Sequence, residues 1–82
     1  SMPSENNMLE VGPVSKHKLP SFDEAWLYCL TLSHNGHKDW RMPDIVDSWA
    51  YPTYELHGWF LDDEHYNQGP YTVTPVRDTN DN

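Results

Sequence analysis

The chain has 82 residues, enough for one small domain, and its 13 Asp and Glu residues against 5 Lys and Arg residues give a net charge of −8. This balance excludes the usual phosphate-binding surfaces, because phosphate contacts need clustered cations and the sequence has one short basic cluster, Lys16-His17-Lys18. Cys29 is the one cysteine, so an internal disulfide is excluded and a reducing compartment is favoured. No apolar run approaches the roughly 20 residues of a membrane span. We therefore predict a cytoplasmic protein with no direct nucleic-acid binding and no membrane association.

Both ends of the sequence are polar. Residues 1–7 and 78–82 are predicted to be disordered tails, and Ser1 before Met2 is interpreted as the remnant of an expression tag. Residues 8–77 are left for a single domain, and residues 8–11 predict its first short strand. Because scaffolds of this size often need an additional staple or a partner, self-association is one hypothesis.

The segment from Ser21 onward predicts the main helix. Ser21 and Glu24 form a capping box, in which the Ser21 hydroxyl accepts a hydrogen bond from the Glu24 amide. Asn35-Gly36 supplies a left-handed residue that predicts the end of the helix near Ser33 or His34. Apolar residues at helical spacing predict one buried face. That face comprises Phe22, Ala25, Trp26, Cys29, Leu30 and Leu32.

A second, short helix is predicted over residues 44–49, with Ile45, Val46 and Trp49 pointing inward. Pro43 suits the first helical position and holds the preceding residue extended. Trp40 is predicted to lie in the core. Arg41 has five donors to satisfy, and its predicted partners are nearby carboxylates. The candidates are Asp39, Asp44 and Asp47.

Two further strands are predicted over residues 58–61 and 71–74, paired antiparallel across a long connection. Trp59 would lie in the core. Together the elements predict an α+β domain in which one main helix and one short helix pack on a small antiparallel sheet.

The helix and the segment after it resemble the Lcl C-terminal-domain family of bacterial and phage proteins. The matching helix residues are Phe22, Glu24, Ala25, Tyr28 and Cys29, and the matching turn residues are Gly36, Asp39, Trp40, Arg41 and Pro43. Met42 replaces the family's Leu, Asp47 stands where Glu is usual, and residues 74–78 are similar to the closing strand. The resemblance implies a minimal C-type-lectin-like fold, related to the formylglycine-generating enzymes. It also suggests a phage origin, in which case the protein acts in the host cytoplasm.

An enzyme is not predicted. The formylglycine-generating relatives bind copper through cysteines late in the chain, whereas Cys29 lies on the early helix and is interpreted as a core residue. His34, His37 and Asp39 offer zinc or nickel ligands, but His near the negative end of a helix dipole explains the same pattern. We therefore predict no such metal site. Asp62, Asp63 and Glu64 leave calcium open as an alternative to a solvated acidic loop.

The remaining class is a binding module. Tyr51, Tyr54, His57 and Tyr66 follow the second helix and are the predicted contact residues, because aromatic side chains with few rotatable bonds make efficient contacts. The predicted structural motif comprises Ser21, Glu24, Gly36, Trp40, Arg41, Pro43 and Asp47. The net charge favours a basic protein partner. The alternatives are a carbohydrate-binding module and an acidic mimic of nucleic acid that inhibits a DNA-binding protein.

Overall fold

The computed structural model describes residues 9–65 and 68–79. Strand β1 (Leu9–Val11) pairs antiparallel with strand β2 (Val76–Asp78), so that Leu9 lies opposite Asp78 and Val11 opposite Val76. The predicted first strand is confirmed, and so is the α+β class. Asp78, which the sequence placed in the C-terminal tail, instead ends β2. The C-type-lectin-like assignment stays a prediction.

Beyond β1 and β2, the two chain segments continue side by side without regular strand geometry. The Gly12 amide donates to the Pro75 carbonyl at 2.8 Å, and the Leu19 amide donates to the Tyr71 carbonyl at 2.7 Å. The buried Ser15 hydroxyl accepts a hydrogen bond from the Val73 amide at 3.1 Å. Residues 71–75 are therefore aligned with residues 12–19.

The predicted pairing of residues 58–61 with 71–74 as two strands is wrong. One backbone hydrogen bond joins these segments in the described structure, from the Trp59 amide to the Thr72 carbonyl at 2.9 Å. Gly58 has a φ of 94°, and the chain enters a short 3₁₀ helix, Leu61–Asp63, directly after Phe60. An extended strand cannot form across these two features, because both leave the β region of backbone conformation.

Helix α1 (Phe22–Leu30) begins as predicted but ends early. The Ser21 hydroxyl accepts from the Glu24 amide at 3.3 Å, and Thr31 is the C-terminal cap. The Asn35-Gly36 pair lies beyond the helix, with φ values of 55° and 78°, between His34 and His37, whose amides and carbonyls pair at 3.0 Å. Left-handed conformation at two successive residues is typical of a tight two-residue turn. Gly36 therefore closes that turn and does not stop the helix.

The buried face of α1 is narrower than predicted. Ala25 and Cys29 are fully buried against Met42, Trp59 and Val73. Trp26 is 39% exposed, however, and Leu30 is 51% exposed, so the prediction that both are buried is wrong. The layer beneath α1 buries Ala25 and Cys29 fully and Phe22 and Tyr28 in part, and it leaves Trp26 and Leu30 exposed.

Helix α2 (Ile45–Ala50) is held by polar contacts at its start. Asp44 is its N-terminal cap, and the Asp44 and Asp47 side chains accept reciprocal hydrogen bonds from each other's backbone amides. Pro43 is buried and precedes the cap, so it does not occupy the predicted first helical position. Trp49 is 71% exposed and Val46 56% exposed, which contradicts their predicted inward orientation. Capping at one end fixes this short helix without burying its apolar face.

A second small cluster packs at the other side of the domain, where Leu9, Leu56 and Val76 meet. Trp40 is also buried, as predicted, with its ring against Gly12. In the described ranges no helix has the length and apolar character needed to cross a bilayer.

Candidate functional site

Arg41 links α2 to the C-terminal strand. Its guanidinium donates to Asp47 at 2.9 Å and to the two carboxylate oxygens of Asp78 at 3.1 Å each. The Arg41 backbone also pairs with Val76, through bonds of 2.7 and 2.9 Å. The hydrogen bonds to Asp78, and then those to Asp47, raise the pKa of Arg41. The predicted partner Asp47 is confirmed.

The other two predicted partners of Arg41 serve elsewhere. Asp44 caps α2, and Asp39 accepts from Arg77 at 2.8 Å. Arg77 also donates to Glu10 at 2.7 Å, and its guanidinium lies 6.0 Å from the Trp40 ring centroid. The two arginines thereby join segments that are far apart in the sequence. For Arg41, which belongs to the predicted structural motif, this is a folding role.

These ion pairs predict an acid-sensitive fold. A hydrogen bond from Arg77 lowers the pKa of Glu10 from 4.5 and of Asp39 from 3.8. Burial raises the pKa of Asp47, but hydrogen bonds from Arg41 and the Asp44 amide outweigh it and hold that pKa below 3.8. Since the unfolded chain then binds more protons than the folded chain, the free energy of unfolding should fall as the pH drops below about 4.

Urea unfolding at pH 5, 4 and 3 tests this dependence. The midpoint should decrease between pH 4 and 3 in the native sequence. In Arg77→Gln the decrease should be smaller, because Glu10 and Asp39 lose the donor that lowers their pKa. An equal decrease of the urea midpoint in the two proteins would contradict the conclusion that Arg77 lowers the pKa values of Glu10 and Asp39.

Cys29 has the environment of a core residue. Its side chain is buried, and burial raises the pKa of the thiol to about 12. Nucleophilic cysteines need the opposite shift, because the thiolate is the reactive form. The neighbouring Tyr28 hydroxyl donates to the Pro13 carbonyl at 3.2 Å, which also serves the packing of α1.

The proposed calcium acids divide between two tasks. Asp62 accepts from the Ile45 amide at 2.9 Å, and Asp63 accepts from the Phe60 amide at 3.0 Å. Asp62 therefore holds the start of α2 and Asp63 holds the local 3₁₀ turn, while Glu64 is exposed. Among the described residues, no group of three or more His, Cys, Asp or Glu side chains gathers as a metal site requires.

Of the predicted contact residues after α2, the two described tyrosines, Tyr51 and Tyr54, are partly covered. The Tyr51 and Tyr54 rings are stacked, 5.4 Å apart with an interplanar angle of 9°, and both pack on the cluster of Leu9, Leu56 and Val76. His57 is exposed. Tyr66 lies outside the described residues. The two tyrosines that come together thus contribute to the fold, with part of each ring covered.

The sequence interpretation missed a surface on α1. Trp26, Leu27 and Leu30 are 39%, 55% and 51% exposed, and we call these three residues the α1 outer face. Their spacing was a signal, since large apolar residues at adjacent helix positions exceed the width of one buried stripe.

A groove opens beside this face, with a volume of about 360 Å³. We call it the α1 groove. It is lined by Phe22, Asp23, Trp26, Leu61 and Glu64. The rings of Phe22 and Trp26 stack along one side, with centroids 6.1 Å apart and an interplanar angle of 21°. Trp26 therefore belongs to both the groove and the outer face.

Comparisons with models of known protein families, with curated proteins and with solved structures find no match to the chain. The resemblance to the Lcl C-terminal-domain family stays a prediction.

Proposed function

We propose that the chain is a non-enzymatic binding module that recognises a protein partner through the α1 outer face. The observation that carries this proposal is the exposure of Trp26, Leu27 and Leu30 on one helix, at 39%, 55% and 51%. Single exposed apolar residues are ordinary on protein surfaces, whereas adjoining large ones mark interaction sites. A helix that presents Trp and Leu at successive turns suits docking against an apolar partner surface.

A partner of basic character is favoured by the net charge of −8. Opposite charge accelerates association and disfavours partners of like charge. A second copy carries the same charge of −8, so electrostatic repulsion opposes the self-association that the small size suggested. A different, basic protein is therefore the preferred partner.

A carbohydrate ligand is the second candidate, and the exposed Trp49 favours it. At 71% exposure its indole offers an open ring face of the kind on which sugars stack. Mimicry of nucleic acid is less favoured. Arg41 and Arg77 each pair with two carboxylates and so offset two of the four negative charges on Asp47, Asp78, Glu10 and Asp39, which reduces the charge that a mimic would display there.

Site-resolved photo-cross-linking in extract of the source cells tests the proposal. A benzophenone amino acid would replace Leu27 on the α1 outer face, Thr53 between the two stacked tyrosines in sequence, or Lys38 as an exposed control that belongs to neither segment. We expect a discrete protein adduct from position 27 and none from position 38. An adduct from position 53 alone would move the site to the segment after α2 and overturn the assignment to α1. Equal yields at all three positions, or no adduct, would also overturn it.

A further inference from the structure

The α1 groove combines an aromatic wall with unpaired negative charge. Phe22 and Trp26 form the wall, Leu61 closes it, and Asp23 and Glu64 line the same space. An apolar ligand group would leave both carboxylates unmatched. An anionic ligand group would be repelled by both carboxylates. The lining thus favours a ligand with an apolar stem and a cationic end.

The availability of these two carboxylates distinguishes them from most acids of the domain. Asp62 and Asp63 accept from backbone amides, and Asp44 and Asp47 cap α2. Asp47 also pairs with Arg41, and three further acids, Asp78, Glu10 and Asp39, pair with Arg41 or Arg77. Within the described residues, the Asp23 and Glu64 carboxylates accept no hydrogen bond and form no ion pair. Both are also exposed.

The aromatic side of the groove suits a cation as well. A guanidinium or ammonium group placed over an indole face is attracted by the negative charge density of the ring. The Arg77 guanidinium, 6.0 Å from the Trp40 ring centroid, already makes a contact of this kind within the domain. Trp26 lines the groove and is 39% exposed, so part of its indole is accessible for such a contact.

We propose that the α1 groove binds an arginine or lysine side chain of the protein partner. This inference rests on the proposed function, and it names the group that the partner inserts beside the α1 outer face. The aliphatic stem of that side chain lies along Phe22 and Leu61, while its charged end meets Trp26, Asp23 and Glu64. Between Arg and Lys, the planar guanidinium stacks better on an aromatic face.

Peptide titration followed by NMR tests the inference on the full chain. The probes are the peptide acetyl-Ala-Leu-Arg-Leu-Ala-amide and the same peptide with citrulline, which keeps the shape of Arg without its charge. The Arg peptide should bind at least roughly fivefold more tightly than the citrulline peptide, because it gains one cation–π contact and the attraction of two partly screened carboxylates. The indole N–H signal of Trp26 should move during the titration.

Two variants that each remove one carboxylate charge show whether the preference for the Arg peptide arises at the groove. Glu64→Gln should weaken binding of the Arg peptide roughly twofold to threefold and leave the citrulline peptide unchanged. Glu55→Gln removes an exposed carboxylate that does not line the groove, and it should leave both affinities unchanged.

The outcomes separate this inference from the proposed function. Equal affinities for the two peptides, no binding of either, or equal effects of the two variants would each overturn the groove assignment. A cross-linked partner at position 27 combined with any of these results would leave the proposed function standing. Absence of an adduct at position 27 would overturn the proposed function, whatever the peptides show.

Discussion

Replacing Trp59 by Ala is expected to lower the free energy of unfolding by about 3–5 kcal/mol. The side chain is fully buried, at 0% exposure, and packs against Ala25, Met42 and Val73. The Tyr71 ring meets it edge-on with centroids 5.1 Å apart. Its indole N–H donates to the Leu19 carbonyl at 3.0 Å. Truncation would remove these contacts together and leave a cavity at the centre of the domain.

Urea unfolding followed by circular dichroism measures this loss. Trp49→Ala is the matched control, because it removes the same side chain from a position that is 71% exposed. We expect the control to change the free energy of unfolding by less than about 0.5 kcal/mol. Similar losses in the two variants would contradict the assignment of Trp59 to the core and of Trp49 to the surface.

Replacing Trp40 by Ala is expected to lower the free energy of unfolding by about 3 kcal/mol or more. The indole is 2% exposed and donates to the His37 carbonyl at 3.1 Å. It packs so closely on Gly12 that a Cβ at that position would lie 2.9 Å from the ring. Because native domains have a stability margin of about 5–15 kcal/mol and small domains have little surface to bury, this loss would remove a large share of the margin.

Trp40→Phe is the control for the packing argument. Phe keeps most of the ring volume but lacks the indole N–H, so we expect it to recover more than half of the stability that Ala loses. Thermal unfolding of the three proteins provides the comparison. A Trp40→Ala protein of native stability that fails to bind a partner would contradict the folding role and make Trp40 a contact residue.

Local chemistry in the sequence predicted the local structure well. The Ser21 cap fixes the start of α1 as predicted. The start of α2 was predicted from Pro43, whereas the reciprocal caps of Asp44 and Asp47 fix it. Both signals act within four residues, where chain geometry leaves few alternatives. The partner Asp47 for Arg41 was predictable for the same reason, since six positions separate the two residues.

Long-range pairing was not predictable in the same way. Asp78 meets Arg41 across 37 positions because β1 and β2 bring the two parts of the chain together. A carboxylate near the C-terminal end has no local feature that marks it as this partner. The error over residues 58–61 has a similar origin, because the alternative partner of residues 71–75 is the irregular segment 12–19.

The binding surface was missed because apolar periodicity identifies a face and does not give its width. Trp26 and Leu30 follow the helical spacing of a core. Of the residues of α1, however, only Ala25 and Cys29 are fully buried. Which apolar residues remain exposed depends on the size of the opposing layer. That size is set by tertiary packing, which no single segment encodes.

The double variant Leu27→Gln with Leu30→Gln tests directly whether the α1 outer face binds a partner. Gln has nearly the helix propensity of Leu, so the change removes apolar surface with little effect on the helix itself. We expect a free energy of unfolding within about 1 kcal/mol of the native value, together with loss of the partner adduct formed from a benzophenone at Trp26. A stability loss of several kcal/mol, or an undiminished adduct, would contradict the claim that the α1 outer face is a binding surface.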